Sequence, residues 1–156
     1  MGRSRRQFLN TSFFSHSALE TFEQGKEFGQ QIIAPTVICF FGELATGKTT
    51  FIKGIVSGFA HIDPTHVQSP TFTYLHIYEG SQTVYHFDLY RLRDMEEFLS
   101  MGFEEYFDKE GICCVEWSEK ISSFLPPQSI LVQMKHLGGD LRSISTSLLD
   151  LGKNYV

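Results

Sequence analysis

The sequence has no run of apolar residues near the ~18 that a membrane-spanning helix needs, so a membrane role is not expected. Its cysteines, Cys39, Cys113 and Cys114, fit no zinc-site spacing. Because adjacent strand residues point to opposite faces, Cys113 and Cys114 are poor disulfide partners, and we expect buried thiols in a reducing compartment. The arginines near the start precede no apolar segment, so no signal peptide is indicated and we expect a cytoplasmic location.

Basic residues are also in deficit, with 13 Lys and Arg against 18 Asp and Glu and a formal net charge of −5. A protein that binds nucleic acid by itself usually carries a basic face. The one dense basic run is Arg3, Arg5 and Arg6, inside a terminal stretch, residues 1–6, that we expect to be a flexible tail. If RNA is involved, a partner is therefore expected to hold it. The length of 156 residues suits a single domain over residues 1–156.

The first third of the chain reads as strand, helix, strand, helix. A strand is predicted over residues 8–14, followed by a helix that Ser17 caps and that ends before Pro35. Residues 36–41 are apolar without alternation, which is typical of a strand buried on both faces. Apolar residues then recur at helical spacing from Phe51 onward.

The remainder of the chain predicts hairpins around a second buried strand. Residues 71–78 and 83–90 indicate an antiparallel hairpin, followed by a short helix that Asp94 caps. Residues 112–115 are a second buried strand. Residues 130–134 and 142–148 flank two glycines and predict a closing hairpin. We therefore expect an α/β domain of three layers, with a mixed sheet that includes antiparallel hairpins.

The strand over residues 36–41 leads directly into a complete G-x-x-x-x-G-K-[ST] pattern, the phosphate-binding loop of P-loop NTPases. The eight residues are Gly42, Glu43, Leu44, Ala45, Thr46, Gly47, Lys48 and Thr49. Glycines let backbone amides surround phosphate oxygens, and the following helix adds the partial positive charge of its N-terminus. Lys48 would reach the β- and γ-phosphates, and the Thr49 hydroxyl would bind Mg²⁺. The flanking strand and helix make an ordinary turn a poor alternative.

A carboxylate for the magnesium is expected where a neighbouring apolar strand ends. Glu116 fits this position, although an exposed acid at a strand end would look the same. His86, Asp88 and Tyr90 lie two apart on a predicted strand and should share one face. An acid among aromatics is costly unless it pairs or faces a site, so Asp88 is a candidate for orienting water. A solvated sheet face is the other reading.

The segment Ser69, Pro70 and Thr71 follows the predicted P-loop helix. Many P-loop proteins keep a switch that senses the γ-phosphate there, although from spacing alone an ordinary turn is the better explanation of three such residues. The position of Trp117, directly after Glu116, leaves open whether its ring lies in the core or near a nucleotide.

In combination these segments resemble the TsaE (YjeE) family, a small ATPase of the bacterial machinery that makes threonylcarbamoyladenosine in tRNA. The resemblance covers roughly the first 145 residues. It depends on four blocks in order: residues 42–50, residues 69–72 (Ser-Pro-Thr-Phe), residues 84–92 (Val-Tyr-His-Phe-Asp-Leu-Tyr-Arg-Leu) and residues 115–117 (Val-Glu-Trp).

The resemblance implies roles for individual residues. It implies that Thr49 and Glu116 bind magnesium and that the phosphate cradle extends to Thr50. It further implies that residues 69–71 form the switch and that Asp88 is an acid critical for activity. Tyr90 and Arg91 would face partner proteins. Nucleotide contacts are implied at Thr71 in the switch, near Ser17 and at Arg142.

The loop departs from the usual family sequence, Gly-Asp-Leu-Gly-Ala-Gly-Lys-Thr-Thr, at three positions. Glu43 replaces Asp, Ala45 replaces Gly and Thr46 replaces Ala. Ala45 adds a Cβ, which matters where a loop needs positive φ. Because the general pattern accepts any residue there, we expect altered nucleotide affinity and retained binding.

The function implied by the resemblance is Mg²⁺-dependent ATP hydrolysis to ADP, with TsaB and TsaD as partners and tRNA reached through their complex. Three alternatives remain at this point. A free-standing kinase usually carries a lid with several arginines, whereas this chain offers Arg91 and Arg93 between the hairpin and Glu116. A GTPase is disfavoured because there is no Asn-Lys-x-Asp segment. A regulatory module that binds nucleotide without turnover stays open.

Overall fold

The computed structural model describes residues 10–43 and 46–150. In these residues, helical segments pack against both faces of one β-sheet. The strands are β1 (Thr11–Ser15), β2 (Thr36–Phe41), β3 (Leu75–Glu79), β4 (Thr83–Asp88), β5 (Ile112–Glu116), β6 (Ile130–Gly138) and β7 (Leu141–Leu148). The α-helices are α1 (Ala18–Gly29), α2 (Lys48–Ala60) and α3 (Met95–Ser100). Short 3-10 segments span Pro64–His66, Phe103–Asp108 and Ser118–Phe124.

The seven strands form a single mixed sheet in the order β1-β7-β6-β2-β5-β4-β3. The four central strands, β6, β2, β5 and β4, are parallel. The outer strands β1, β7 and β3 pair antiparallel to their neighbours. The parallel strands therefore all end at one edge, which is where ligands bind in open α/β sheets.

Two apolar cores separate the three layers. Along β2, Ile38 and Phe40 face the core beneath α1 and α2. The alternate residues Cys39 and Phe41 face the second core, which α3 and the later 3-10 segments cover. A strand buried on both faces needs a continuous apolar sequence, which explains the pattern of residues 36–41.

Helices α1 and α2 cross at unusually close range because glycines lie at their contact. A Cβ added to Gly54 would lie 2.2 Å from the carbonyl oxygen of Phe22, and one added to Gly25 would lie 2.2 Å from that of Phe51. Any larger residue at either position would have to push the backbones apart. The close contact fixes α2, and with it the loop that precedes it, against α1.

Most of the predicted elements are present. The strands over residues 36–41 and 112–115 are confirmed, as are the closing hairpin and the short helix capped by Asp94. The Ser17 hydroxyl accepts from the Glu20 amide at 3.0 Å, as expected of a helix cap. The Glu20 carboxylate in turn accepts from the amide of His16 at 3.2 Å.

The predicted first hairpin was too long at both ends. Its first strand begins at Leu75, because the Tyr74 amide bonds the Pro70 carbonyl at 2.9 Å and closes a turn. Its second strand ends at Asp88, whose Oδ1 accepts from the Tyr90 amide at 3.0 Å and turns the chain away. The predicted first strand over residues 8–14 starts at Thr11, and residues 8 and 9 lie outside the described residues.

The cysteines are buried free thiols, as predicted. Cys113 and Cys114 lie in different cores. Burial raises the pKa of Cys39 and of Cys113 to about 12 each. The thiol form is therefore strongly favoured, which suits a packing role. The predicted tail, residues 1–6, lies outside the described residues.

Candidate functional site: a phosphate loop beside two buried carboxylates

The loop after β2 turns sharply through two glycines. Gly42 has φ +152°, and a Cβ there would lie 2.7 Å from the Met134 carbonyl oxygen. Gly47 has φ +96° and precedes the first residue of α2. Both positions therefore need glycine. Between them the Thr46 hydroxyl donates to the Glu43 carbonyl at 3.1 Å, while Leu44 and Ala45 lie outside the described residues, so the expectation for Ala45 remains a prediction.

The first turn of α2 opens onto a cleft. The first amides of a helix have no partner within it and carry partial positive charge, and here they belong to Lys48, Thr49 and Thr50. The first intrahelical bond, from the Phe51 amide, ends on the Gly47 carbonyl. A loop of this shape at a helix start is suited to an anion such as a phosphate group.

Lys48 lies in the cleft with its ammonium group directed back along the loop. Its Nζ donates to the Gly42 carbonyl at 2.6 Å and lies 4.0 Å from the centre of the Trp117 ring. Burial lowers the pKa of Lys48, and the charge of Glu116 opposes that shift. The ammonium group is therefore partly desolvated, a state in which a phosphate would be a strong partner.

Two carboxylates face this turn from the ends of β4 and β5. Asp88 and Glu116 are opposite one another in the parallel register, and both are buried, with 6% and 3% of their surfaces exposed. The Thr49 hydroxyl donates to Glu116 Oε1 at 3.3 Å. Glu116 therefore lies inside the site and is not an exposed acid at a strand end.

Ser69 bridges the two carboxylates. Its hydroxyl lies 3.4 Å from Glu116 Oε2 and makes a short hydrogen bond to Asp88 Oδ2. A hydroxyl carries a single proton, so the shorter contact with Asp88 takes it. The segment of residues 69–71 is thus tied directly to the acids of the site, which is more than an ordinary turn requires.

The cleft has a volume of about 380 Å³. Its lining combines loop, segment and acids: Thr46, Gly47, Lys48, Thr49, Thr50, Ser69, Thr71, Asp88, Tyr90, Glu116 and Trp117. Thr50 and Thr71, both proposed from the sequence, therefore lie in the same space as Lys48. The position of Trp117, left open by the sequence, is at this cleft.

Two predicted nucleotide contacts lie apart from this lining. Ser17 is engaged as the cap of α1, and Arg142 is on β7, paired with Ser15 of β1. A Cβ on Gly47 would lie 3.3 Å from Arg142 Nε, so the arginine borders the outer side of the loop. Nothing in the described residues brings Ser17 to the cleft.

The face shared by His86, Asp88 and Tyr90 differs from the sequence expectation. His86 is fully buried and Asp88 nearly so, while Tyr90 lies beyond the end of the strand with 42% of its surface exposed. His86 and Asp88 therefore do not form the solvated sheet face that the sequence left open. Tyr90 and Arg91 are exposed, and the Arg91 guanidinium lies 4.5 Å from the centre of the exposed Phe72 ring.

Two contacts at the site were not predicted from the sequence. His86 Nε2 lies 2.8 Å from Glu116 Oε2 in the buried sheet. The Lys120 ammonium donates to the carbonyls of Tyr90 and Leu92 and so fastens the segment after Asp88. A histidine in a buried strand, two residues from a buried acid, was the available signal for the first; sequence spacing gives none for Lys120.

The site suits a cation whose ligands come partly from the protein and partly from a bound substrate. In residues 10–43 and 46–150 no three His, Cys, Asp or Glu side chains form a metal cage. Mg²⁺ is commonly held by one or two protein oxygens together with substrate phosphates and water. No helix within the described ranges is long and apolar enough to cross a membrane.

Comparisons with known sequences identify a family. The sequence model of the TsaE family, threonylcarbamoyl adenosine biosynthesis protein TsaE, matches residues 15–144. The TsaE protein of Treponema pallidum is 35% identical over 133 residues, covering 85% of this chain and 97% of that protein. The TsaE protein of Haemophilus influenzae is 42% identical over 117 residues, covering 74% and 72% of the two chains.

A solved structure agrees with the fold. The crystal structure of Bacillus subtilis YdiB superposes with a TM-score of 0.72 at 29% identity, covering 90% of this chain and 86% of that one. The expected fold, an α/β P-loop domain with a mixed sheet, is confirmed. With the family model matching most of the chain, the protein belongs to the TsaE family.

Proposed function

We propose that this protein is a Mg²⁺-dependent subunit that binds and hydrolyses ATP in the biosynthesis of threonylcarbamoyladenosine in tRNA. It would act in the cytoplasm with TsaB and TsaD and reach tRNA through their complex. The observation that carries the proposal is the 3.3 Å hydrogen bond from the Thr49 hydroxyl to Glu116. Thr49 directly follows Lys48, the lysine in the cleft. Membership of the TsaE family supports the pathway.

The phosphate loop would bind the nucleotide through its backbone and one charge. The glycine turns at Gly42 and Gly47 leave room for phosphate oxygens beside the amides of the first turn of α2. Lys48 would exchange the Gly42 carbonyl, now 2.6 Å away, for the β- and γ-phosphates. This exchange favours binding because a phosphate carries full negative charge and a carbonyl only a partial one.

Thr49 and Glu116 would hold the magnesium ion. Adjacent ligands of an octahedral Mg²⁺ at ~2.1 Å lie about 3 Å apart, and the two oxygens are 3.3 Å apart. The residues therefore fit the ion without large movement. When bound, Mg²⁺ would neutralise charge on the β- and γ-phosphates.

Asp88 would act on the water side of the cleft. It accepts from Ser69 and from the Tyr90 amide, yet a carboxylate has room for about four hydrogen bonds. It can therefore hold the segment of residues 69–71 and still accept a hydrogen bond from a water molecule. In this role it would position the attacking water and the segment together.

Hydrolysis by the isolated chain is expected to be slow. The lining of the cleft, within the described part of the chain, holds one lysine and no arginine. In P-loop enzymes an arginine supplied by a partner accelerates hydrolysis by about 10³–10⁵. A surface of Phe72, Tyr90 and Arg91 lies beside the cleft and is exposed, so a partner docked there would be close enough to act.

The test follows phosphate release from ATP with the purified chain alone and with cognate TsaB and TsaD. We expect Mg²⁺-dependent release that the partners stimulate. Asp88→Ala should depress the stimulated rate and tRNA modification far more than nucleotide affinity. The matched control is Asp108→Ala. Asp108 is an exposed acid in the 3-10 segment Phe103–Asp108.

Two results would contradict the proposal. Full turnover by the isolated chain, with no stimulation by TsaB and TsaD, would refute the proposal that a docked partner completes the site. Nucleotide binding with no phosphate release under any condition would favour a regulatory module that binds without turnover.

A further inference from the structure

His86 lies on β4, the second strand from one edge of the sheet, and its side chain has no access to solvent. It lies between His76 of β3 and Cys114 of β5 in the strand register, and its exposed fraction is 0%. Its Nε2 lies 2.8 Å from Glu116 Oε2. Burying a polar ring costs free energy unless it is hydrogen-bonded, so this contact is what makes the position tolerable.

The surroundings of the ring decide which nitrogen carries the proton. Nδ1 is buried and has no hydrogen-bond partner among the described residues, while Nε2 faces a carboxylate oxygen that can only accept while it is ionised. A proton on Nδ1 would lack an acceptor and leave two lone pairs facing each other at Nε2. The proton therefore belongs on Nε2, which donates to Glu116.

This donation holds one oxygen of Glu116 and leaves the other for the cleft. Oε2 receives His86, whereas Oε1 receives the Thr49 hydroxyl. A carboxylate without such a partner rotates about its terminal bond. Ser69, the other group near Oε2, is 3.4 Å away and already donates to Asp88. The hydrogen bond from His86 Nε2 is thus the stronger of the two contacts that Oε2 makes.

We propose that His86 is a positioning residue that fixes the Glu116 carboxylate through Nε2–H, so that Oε1 is presented beside Thr49 for the magnesium ion. The inference rests on the proposed function, because it assigns the metal to this pair. Outer partners of a metal ligand typically change metal affinity or activity by about 10–100-fold when replaced.

Two substitutions separate positioning from packing. The side-chain nitrogen of Gln reaches about as far as histidine Nε2, whereas that of Asn reaches only as far as Nδ1. His86→Gln should therefore keep the donor to Glu116 while His86→Asn loses it, although both bury an amide. His61→Asn is the control. His61 is exposed and its backbone is in the left-handed region, a conformation that asparagine adopts readily.

The readout is the Mg²⁺ concentration that gives half-maximal thermal stabilisation of the chain by ADP, which needs no hydrolysis. We expect His86→Asn to raise this concentration about 10–100-fold. His86→Gln should stay within a few-fold of the wild type. ADP affinity in EDTA should be the same for the wild type and for both His86 variants. Equal Mg²⁺ requirements in His86→Asn and wild type, with a lower melting temperature in the variant alone, would overturn the inference.

A measurement on the wild-type protein tests the inference even if the variants do not fold. Long-range ¹H–¹⁵N NMR of the imidazole should show a proton on His86 Nε2 at neutral pH. A proton confined to Nδ1 would overturn the inference. If the wild-type chain instead binds ADP without any dependence on Mg²⁺, the proposed function loses its metal. If ADP binding by the wild type depends on Mg²⁺ and His86→Asn has the same Mg²⁺ requirement, the positioning role is refuted and the proposed function is not.

Discussion

The two sides of the cleft are built in different ways. One, the phosphate wall, is the continuous stretch of residues 46–50 at the start of α2. The other, the acid wall, consists of Ser69, Asp88 and Glu116, which come from three separate parts of the chain. The phosphate wall presents mainly backbone amides and one ammonium group, whereas the acid wall presents the oxygens of two buried carboxylates and a half-buried serine.

This difference assigns different tasks to the two walls. A helix start keeps its shape through local turns, so changes in the phosphate wall should alter how tightly phosphate is held. The acid wall exists only because parallel pairing places Asp88 opposite Glu116. Changes there should alter the placement of charge and metal, and hence turnover. The following predictions test whether affinity and turnover divide along this line.

The largest effect is expected from Glu116→Gln in the acid wall. The change removes the negative charge at the proposed metal position. The loss of Mg²⁺-dependent hydrolysis should therefore exceed the about 10–100-fold typical of a ligand's outer partner. ATP should still bind. Phosphate release and calorimetry measure the two properties, with Glu110→Gln, an exposed acid just before β5, as the control. Normal hydrolysis in Glu116→Gln would move the metal carboxylate elsewhere, with Asp88 the next candidate.

The next effect is expected from Lys48→Ala in the phosphate wall. Losing a charge-assisted contact should weaken ATP binding by about 2–3 kcal/mol, which is about 30- to 140-fold. Lys53→Ala removes the same charge from the same helix outside the cleft lining and should bind normally. Calorimetry that finds wild-type affinity in Lys48→Ala would reject the phosphate-loop assignment.

Ser69→Ala should have a smaller effect, on stability. Without the bridging hydroxyl, the neighbouring carboxylates lose a shared partner while each keeps others: Asp88 the Tyr90 amide, and Glu116 His86 and Thr49. We expect the free energy of unfolding without nucleotide or metal to fall by about 1–2 kcal/mol. Urea denaturation measures this, and Ser122→Ala, an exposed serine, is the control. An unchanged midpoint would show that the bridge does not stabilise the acid wall.

The smallest effect concerns Glu119, a carboxyl near the cleft whose Oε2 is buried without a hydrogen-bond partner among the described residues. Burial raises the pKa of Glu119 above 4.5, and the charge of Lys48 opposes this shift. The folded state therefore favours the neutral form, so stability is lost as pH rises from 4.5 through the raised pKa.

Glu119→Gln removes that loss. The variant should match the wild type near pH 4 and be more stable at neutral pH by about 0.5 kcal/mol or less. Paired urea curves at the two pH values measure the difference. A variant that is less stable at neutral pH would mean that the Glu119 charge has a partner that compensates its burial.

The same contrast explains what the sequence could predict. The phosphate wall follows from one local pattern, since glycine spacing, strand and helix all lie within residues 36–60. The acid wall was predicted as separate candidates, because sequence order does not give the register that sets Asp88 beside Glu116. The Ser69 bridge and the His86 contact depend on that register and on side-chain rotamers, so neither could be derived from spacing.

Among the elements, apolar strands were predicted better than the ends of the hairpin. Strand β2 was bounded correctly because its burial on both faces leaves a continuous apolar run. The ends of β3 and β4 are set by backbone bonds, from the Tyr74 amide to Pro70 and from the Tyr90 amide to Asp88. Such bonds suit many polar sequences, so composition alone placed the start of β3 four residues too early and the end of β4 two residues too late.

The position of Lys48 over Trp117 gives the protein its own optical reporter. Trp117 is the one tryptophan of the whole sequence, and its ring lies 4.0 Å from the Lys48 ammonium. A charge so close to an indole shifts the energy of its excited state, so the emission spectrum should change when a phosphate draws the lysine away. Unlabelled protein in a fluorimeter could then follow nucleotide entry in real time, and the same signal would be insensitive to nucleotide in Lys48→Ala.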